Sequence, residues 1–333
     1  MDARLISPTG DTLFSSQNVN GDSNPITLLE AGTYELVIDG GSNNAIGDFS
    51  FQMLDVAEAI ALTANEEQMG ARESNEVTLF TYEGTAGERI LLNRLEDNSN
   101  QTFRVYNSAN EQISVDGFNN TFSLETTGTY LVSVRQPTNS SEDYNFELLL
   151  PQTNITPLNV GELVNGNIAS PGNQEAYTFT GSVGQKVVFD GLSSDDISMD
   201  ARLISPTGDT IFSSQNVNGD SNPITLLEAG NYELVIDGGF NNAIGDFSFQ
   251  MLDVADAIAL TANEEQMGAR EFNEVTLFTY EGTAGERILF NRLGNISNQD
   301  FTVYNSANQE IFDTVNDTFN LETTGTYLVS VNP

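Results

Sequence analysis

Apolar side chains recur at every second position in short runs along this chain. Tyr177 and Phe179 alternate with Thr178 and Thr180, Leu234 and Ile236 with Glu233 and Val235, and Phe247, Phe249 and Met251 with Ser248 and Gln250. This period of two sends successive side chains to opposite faces, so each run predicts a half-buried antiparallel strand with aromatic and branched residues inside. Turn sequences separate the runs: SPTGD at Ser205, EAGN at Glu228 and DGG at Asp237. Short strands punctuated about every ten residues predict an all-β fold built as a sandwich. Residues 57–64 and 255–262 are read as linkers that enter the next strand, not as helices.

The pattern repeats. Met1 to Val56 returns as Met199 to Val254, at an offset of 198, with three substitutions: Leu13 to Ile211, Thr33 to Asn231 and Ser42 to Phe240. AIALTANEEQMGARE begins at Ala59 and again at Ala257, and ETTGTYLVSV begins at Glu125 and again at Glu322. The repeated unit is itself two weaker copies, since AYTFTGSVGQKVVFDGL from Ala176 parallels TLFTYEGTAGERILLNRL from Thr78. ITLLEAGNYELVI from Ile224 likewise parallels FSLETTGTYLVSV from Phe122. A fixed period decides architecture before any local motif does. It predicts tandem domains of about 100 residues, alternating in type as A-B-A-B.

The expected boundaries are 1–56 (type A, without its N-terminal strands), 57–151 (type B), 152–254 (type A) and 255–333 (type B, without its last strand). Met1 stands where the internal copy has Met199, so the chain reads as a window on a longer array. The alternative is that the incomplete ends complete one another between neighbouring chains by strand donation, which builds a filament. Each domain is expected to bury its own core and to need no neighbour to fold.

The linker with Gly161, Glu162, Val164 and Gly166, the strand EAYTFTG from Glu175, GQKVVFDGL from Gly184, DARLISPTGDTIF from Asp200, EAGNYELVIDG from Glu228 and the closing GDFSFQML from Gly245 resemble the bacterial pre-peptidase C-terminal (PPC) domain. The resemblance runs through every copy. It implies jelly-roll-like β-sandwiches in secreted or cell-surface bacterial proteins, where such domains accompany exported enzymes or serve as repeated spacers. It also implies that some relatives bind calcium or collagen. Type B departs from type A in carrying Asn93 opposite Asp190 and Thr102 opposite Asp200, so a metal site shared by both types is in doubt.

Composition narrows the function. The net charge is −37, with 48 acidic residues against 11 basic ones, so nucleic acid, which needs clustered Lys and Arg, is excluded as a partner. Lys186 is the one lysine, which rules out a lysine crosslink repeated in every domain. Histidine and cysteine are absent; Ser-His and Cys-His nucleophiles, His-ligated zinc and disulfides are therefore excluded. No apolar run reaches the roughly 18 residues of a membrane span. Asp and Glu fall mostly in turns and on polar strand faces, which reads as a solvated acidic surface and not as a glycosidase pair.

A carboxylate-rich surface invites a hard cation. The type A loop after VVFDG places Asp190, Asp195, Asp196 and Asp200 within eleven positions, and these are the candidate calcium ligands. A weaker candidate is NVNGDSN, with Asn18, Asn20, Asp22 and Asn24, and again Asn216, Asn218, Asp220 and Asn222. Tyr34, Tyr130, Tyr232 and Tyr327 each follow a turn at a strand start and are expected to bond backbone at a corner. Phe240, an apolar group in a Gly/Asn loop, is a candidate contact to a neighbouring domain or chain. Asn-x-Ser/Thr triplets stand at Asn100, Asn119, Asn139, Asn154, Asn295 and Asn316. The reading reached from sequence is a non-enzymatic, adhesin-like structural protein outside the cell, a repeat stalk or fibre stiffened by calcium. Its partners are neighbouring copies. The alternative is a module binding surface polysaccharide or matrix, the appendage of a secreted hydrolase.

Overall fold

The computed structural model describes residues 1–16, 21–41, 44–71, 76–95, 102–115, 121–135, 143–267, 273–291, 293, 300–312 and 318–332. The chain divides into two compact units, Met1–Leu150 and Pro151–Pro333. Each holds one type A copy followed by one type B copy, and the division between them falls within one residue of an expected domain boundary. Helix among the described residues is limited to single 3-10 turns.

The first unit carries β1 (Asp2–Ile6), β2 (Thr12–Ser16), β3 (Glu35–Asp39), β4 (Ile60–Ala61), β5 (Glu67–Gly70), β6 (Val77–Gly84), β7 (Arg89–Arg94), β8 (Thr102–Tyr106), β9 (Gln112–Val115), β10 (Phe122–Ser123), β11 (Gly128–Arg135) and β12 (Tyr144–Leu149). They form sheets β2-β1-β3, β10-β7-β12-β5 and β4-β6-β11-β8-β9. Phe80, Val105 and Val132 from the five-stranded sheet meet Ile90, Leu92, Phe146 and Leu148 from the four-stranded one in a single core. Two sheets sharing one core make residues 57–150 a β-sandwich.

The second unit carries β13 (Thr153–Pro157), β14 (Leu163–Ile168), β15 (Gln174–Gly181), β16 (Lys186–Ser194), β17 (Asp200–Ile204), β18 (Thr210–Asn216), β19 (Ile224–Thr225), β20 (Gly230–Asp237), β21 (Gly245–Asp253), β22 (Ile258–Ala259), β23 (Thr276–Gly282), β24 (Arg287–Leu289), β25 (Asp300–Tyr304), β26 (Glu310–Phe312), β27 (Thr318–Asn320) and β28 (Gly325–Asn332). Sheets β13-β15-β20-β17-β18 and β14-β21-β16-β19 enclose the type A core, and β22-β23-β28-β25-β26 and β24-β27 belong to the type B copy.

The alternation read from sequence holds on the inner faces: Tyr177, Phe179, Leu234, Ile236, Phe247, Phe249 and Met251 all lie in one core. Val235, on the opposite face of β20, is buried as well, between Ala176 and Arg202 of the flanking strands. The linkers form a 3-10 turn capped by Asp55 or Asp253. A two-residue strand then runs parallel to β6 or β23.

Residues 1–56 differ from their copy at 199–254 in the stretch that matches β21. β21 draws its hydrogen bonds from β14 and β16, and residues 1–56 contain no counterpart of either. The stretch matching β21 forms no strand, and Phe49, Phe51 and Met53 are 55%, 60% and 72% exposed, where Phe247, Phe249 and Met251 are buried. Residues 255–333 similarly contain no counterpart of β12, which pairs with β5 and β7.

Gly191 sits where β16 bulges against β21, with the loop after β18 pressed on it. A Cβ there would lie 2.3 Å from the Val217 carbonyl oxygen and 2.7 Å from the Gly219 nitrogen, both backbone atoms that cannot swing aside. Gly191→Ala is therefore expected to destabilise the second unit by about 3 kcal/mol, the upper range for overpacking. Chemical denaturation should show a lower midpoint with an unchanged slope.

Candidate functional site

The residues that the fold brings together lie where a type A copy meets the type B copy that follows it. β16 is buried on both faces. Val187 and Phe189 point into the type A core, while Val188 faces the other way and packs with Val275 just before β23, Leu277 of β23, Tyr304 of β25 and Leu328 of β28. Leu252, Val254 and Ala257 border this second cluster. The two copies of the second unit thus share an apolar cluster in addition to the core that each buries by itself.

Polar bonds ring the cluster. Lys186 Nζ donates to the Ser306 carbonyl at 2.7 Å, and Asn273 Nδ2 to the Leu192 carbonyl at 3.1 Å. Tyr304 Oη donates to Asn222 Oδ1 at 3.0 Å, and Asn308 Nδ2 to Thr225 Oγ1 at 2.8 Å. The first unit repeats the last two at the same offset: Tyr106 Oη to Asn24 Oδ1 at 3.4 Å and Asn110 Nδ2 to Thr27 Oγ1 at 2.8 Å. It adds an ion pair, Arg135 Nε to Asp22 Oδ2 at 3.0 Å. A cavity of about 60 Å³ remains between the copies, lined by Val188, Asp220, Asn222, Tyr304, Leu328 and Ser330 among others.

Asp190 is the chemically unusual member. Its side chain is fully buried and accepts the Val275 N–H at 3.3 and 3.4 Å. Burial, then the charge of Asp220, push its carboxyl up to about 8; the Val275 N–H pulls the other way, and a hydrogen bond to Asp220 and the charge of Glu274 add to the rise. Burial beside a second carboxylate thus favours the protonated form of Asp190.

The other predicted calcium ligands do separate work. Asp195 Oδ2 accepts the Asp246 N–H at 2.8 Å. Asp196 Oδ1 caps the Ser198 N–H at 2.7 Å, a bond that holds its carboxyl below the usual range. Asp200 opens β17 opposite Asp237, and partial burial followed by that neighbour's charge raises it. No three acidic groups among the described residues are placed to hold one metal ion, so Asp190, Asp195, Asp196 and Asp200 are not gathered as expected.

The weaker loop is likewise used by the fold. Asn216 Oδ1 accepts the Asn218 N–H, and Asp220 Oδ1 accepts the Gly191 N–H; Asn222 joins the interface. Asn18 and Asn20 lie outside the described residues, as do Ser42, Asn100, Asn119, Asn139, Asn295 and Asn316. Asn154, on β13, donates to Glu175 Oε1. Phe240 is 87% exposed on a 3-10 turn.

The corner tyrosines are found in all four copies. Tyr34, Tyr130, Tyr232 and Tyr327 donate to the carbonyls of Glu30, Thr126, Glu228 and Thr323 at 2.8, 2.6, 2.9 and 2.7 Å. An open groove of about 460 Å³ runs past Asn167, Ser193, Asp195, Asp246 and Ser248, and its polar groups bond one another, Asn167 to Asp246 and Ser193 to Ser248. Sequence reasoning passed over Val188, Tyr304 and Asn308. The unbroken run Val187-Val188-Phe189 was the available signal, because a strand without alternation is buried on both faces.

Comparison with known proteins adds little. No family model matches the chain, and no curated protein matches it. Among solved structures, the periplasmic inhibitor of g-type lysozyme from Salmonella Typhimurium is 9% identical, over 28% of this chain and 97% of its own, with a TM-score of 0.23. The CUB1-EGF-CUB2 region of human MASP-1/3 is 11% identical, over 56% of this chain and 100% of its own, with a TM-score of 0.18. Likenesses this slight carry nothing about function. Among the described residues no helix is long and apolar enough to cross a membrane.

A carboxyl whose folded pKa lies above its unfolded value of about 4 binds more protons in the folded state between the two. Stability then falls as pH rises through that window. For Asp190 the window runs from about 4 up to about 8. Asp190→Asn keeps the shape and removes the titration. The difference in unfolding free energy between the native chain and this variant is expected to shift against the native chain as pH rises from 4 to 8, and to be constant above that, by denaturation followed with circular dichroism.

Proposed function

We propose that this chain is a non-enzymatic structural protein of the bacterial cell exterior, in which PPC-like, jelly-roll-like sandwiches of two alternating types form a repeat stalk or a self-assembling fibre. The observation that carries this reading is the recurrence, at an offset of 198, of an A–B couple with the same interdomain hydrogen bonds. Near-identical copies suit a spacer, because each added couple extends its reach without new chemistry. The polar groups of the main groove are paired with one another, and the acidic residues act as caps and interface groups, so the reading rests on no bound cation.

Copy number is then the functional variable. Chains carrying one, two and three A–B couples should give rods whose length in electron micrographs grows by a constant increment per couple. Globular particles growing with the cube root of mass would overturn the proposal. If the rods also join end to end, the fibre form of the reading places exposed Phe240 in the contact, and Phe240→Ser should abolish joining while leaving the length of single rods unchanged.

A further inference from the structure

All four copies share one tight turn. Ser7, Asn107, Ser205 and Asn305 each donate their N–H to the carbonyl four residues on, and accept the N–H three residues on. The donor of that second bond needs a left-handed backbone: Gly10 at φ 92°, Asn110 at 62°, Gly208 at 90° and Asn308 at 60°. Glycine enters that region without cost, and asparagine is one of the few other residues that does so readily. Type A copies use glycine there. Type B copies use asparagine, and its amide reaches across to Thr27 or Thr225 of the preceding type A copy.

The residue just before the turn divides the same way. It is Ile6 and Ile204 in type A, Tyr106 and Tyr304 in type B. Both tyrosines are buried, and both reach an asparagine of the preceding copy. A type A copy set in the same place would offer isoleucine and glycine to those acceptors and make neither hydrogen bond across the interface, losing the net contribution of each.

We propose that type A copies carry a docking surface selective for type B copies, and that the Tyr–Asn pair flanking the type B turn is its specificity determinant. The A–B couple is then the assembly unit, and the order of copies is written in two side chains. The inference concerns recognition between copies and stands whether or not the array serves as a stalk.

The test is amide hydrogen exchange on the full chain, followed by mass spectrometry. The segment 273–278 reports docking, because the Val275 N–H is given to Asp190 across the interface; peptides covering β15 and β20 report the type A core. Converting type B to the type A identities, Tyr304→Ile with Asn308→Gly, should speed exchange in 273–278 roughly twenty-five-fold, about five-fold for each hydrogen bond lost, with the core peptides unchanged. Exchange in 273–278 within two-fold of the native chain would overturn the proposal. Should that variant loosen the core as well, the milder Tyr304→Phe and Asn222→Ala decide. Each should speed exchange about five-fold and the double variant no more than either, whereas additive effects would sink the clamp.

Discussion

The rest of the second unit depends on β16 being buried on both faces. Strand geometry sends Val187 and Phe189 one way and Lys186, Val188 and Asp190 the other. The first set fills the type A core, and the second meets Val275, Leu277, Tyr304 and Leu328 of the next copy. The folding of one copy and its attachment to the next therefore run through a single strand. Residues 1–56 contain no counterpart of β16, and Val77 and Leu79 are only half-buried, where the matching Val275 and Leu277 are closed off.

Much of this architecture was legible in the sequence because it rests on local rules. Alternation marked the inner faces, Gly and Asn marked the turns, and a tyrosine just after a turn found its backbone carbonyl in every copy. The candidate metal site was not legible, for a reason that generalises. Closeness along the chain is not closeness in space when a strand ends within the window. Asp190 is still on the strand and turns outward, Asp195 and Asp196 cap the loop beyond it, and Asp200 already belongs to the other sheet. The shared cluster between the two copies of the second unit was hidden as well, since an interface formed by the outer faces of strands leaves no mark except a missing alternation.

The two types also show how copies of one ancestor can acquire an address. The shared turn constrains its fourth position to Gly or Asn, and nothing in the turn itself prefers one. That freedom lets type B place a donor there at no conformational cost. The neighbouring Ile-to-Tyr difference keeps an apolar body and adds a hydroxyl, which suits a site closed on one side and polar on the other. Neither change disturbs the sandwich beneath it.

The chemistry of the contact answers a constraint set by the whole chain. With a net charge of −37 and one lysine, neighbouring copies repel one another and have few cations with which to form ion pairs. Arg135 pairs with Asp22 in the first unit, but the same position in the second type B copy is Asn332. Lys186 gives its ammonium to a backbone carbonyl, not to a carboxylate. What recurs in both units is instead a pair of neutral hydrogen bonds, contacts that salt does not screen. Asp190 fits the same logic, since a buried carboxyl that keeps its proton adds an acceptor to the interface without adding to the repulsion.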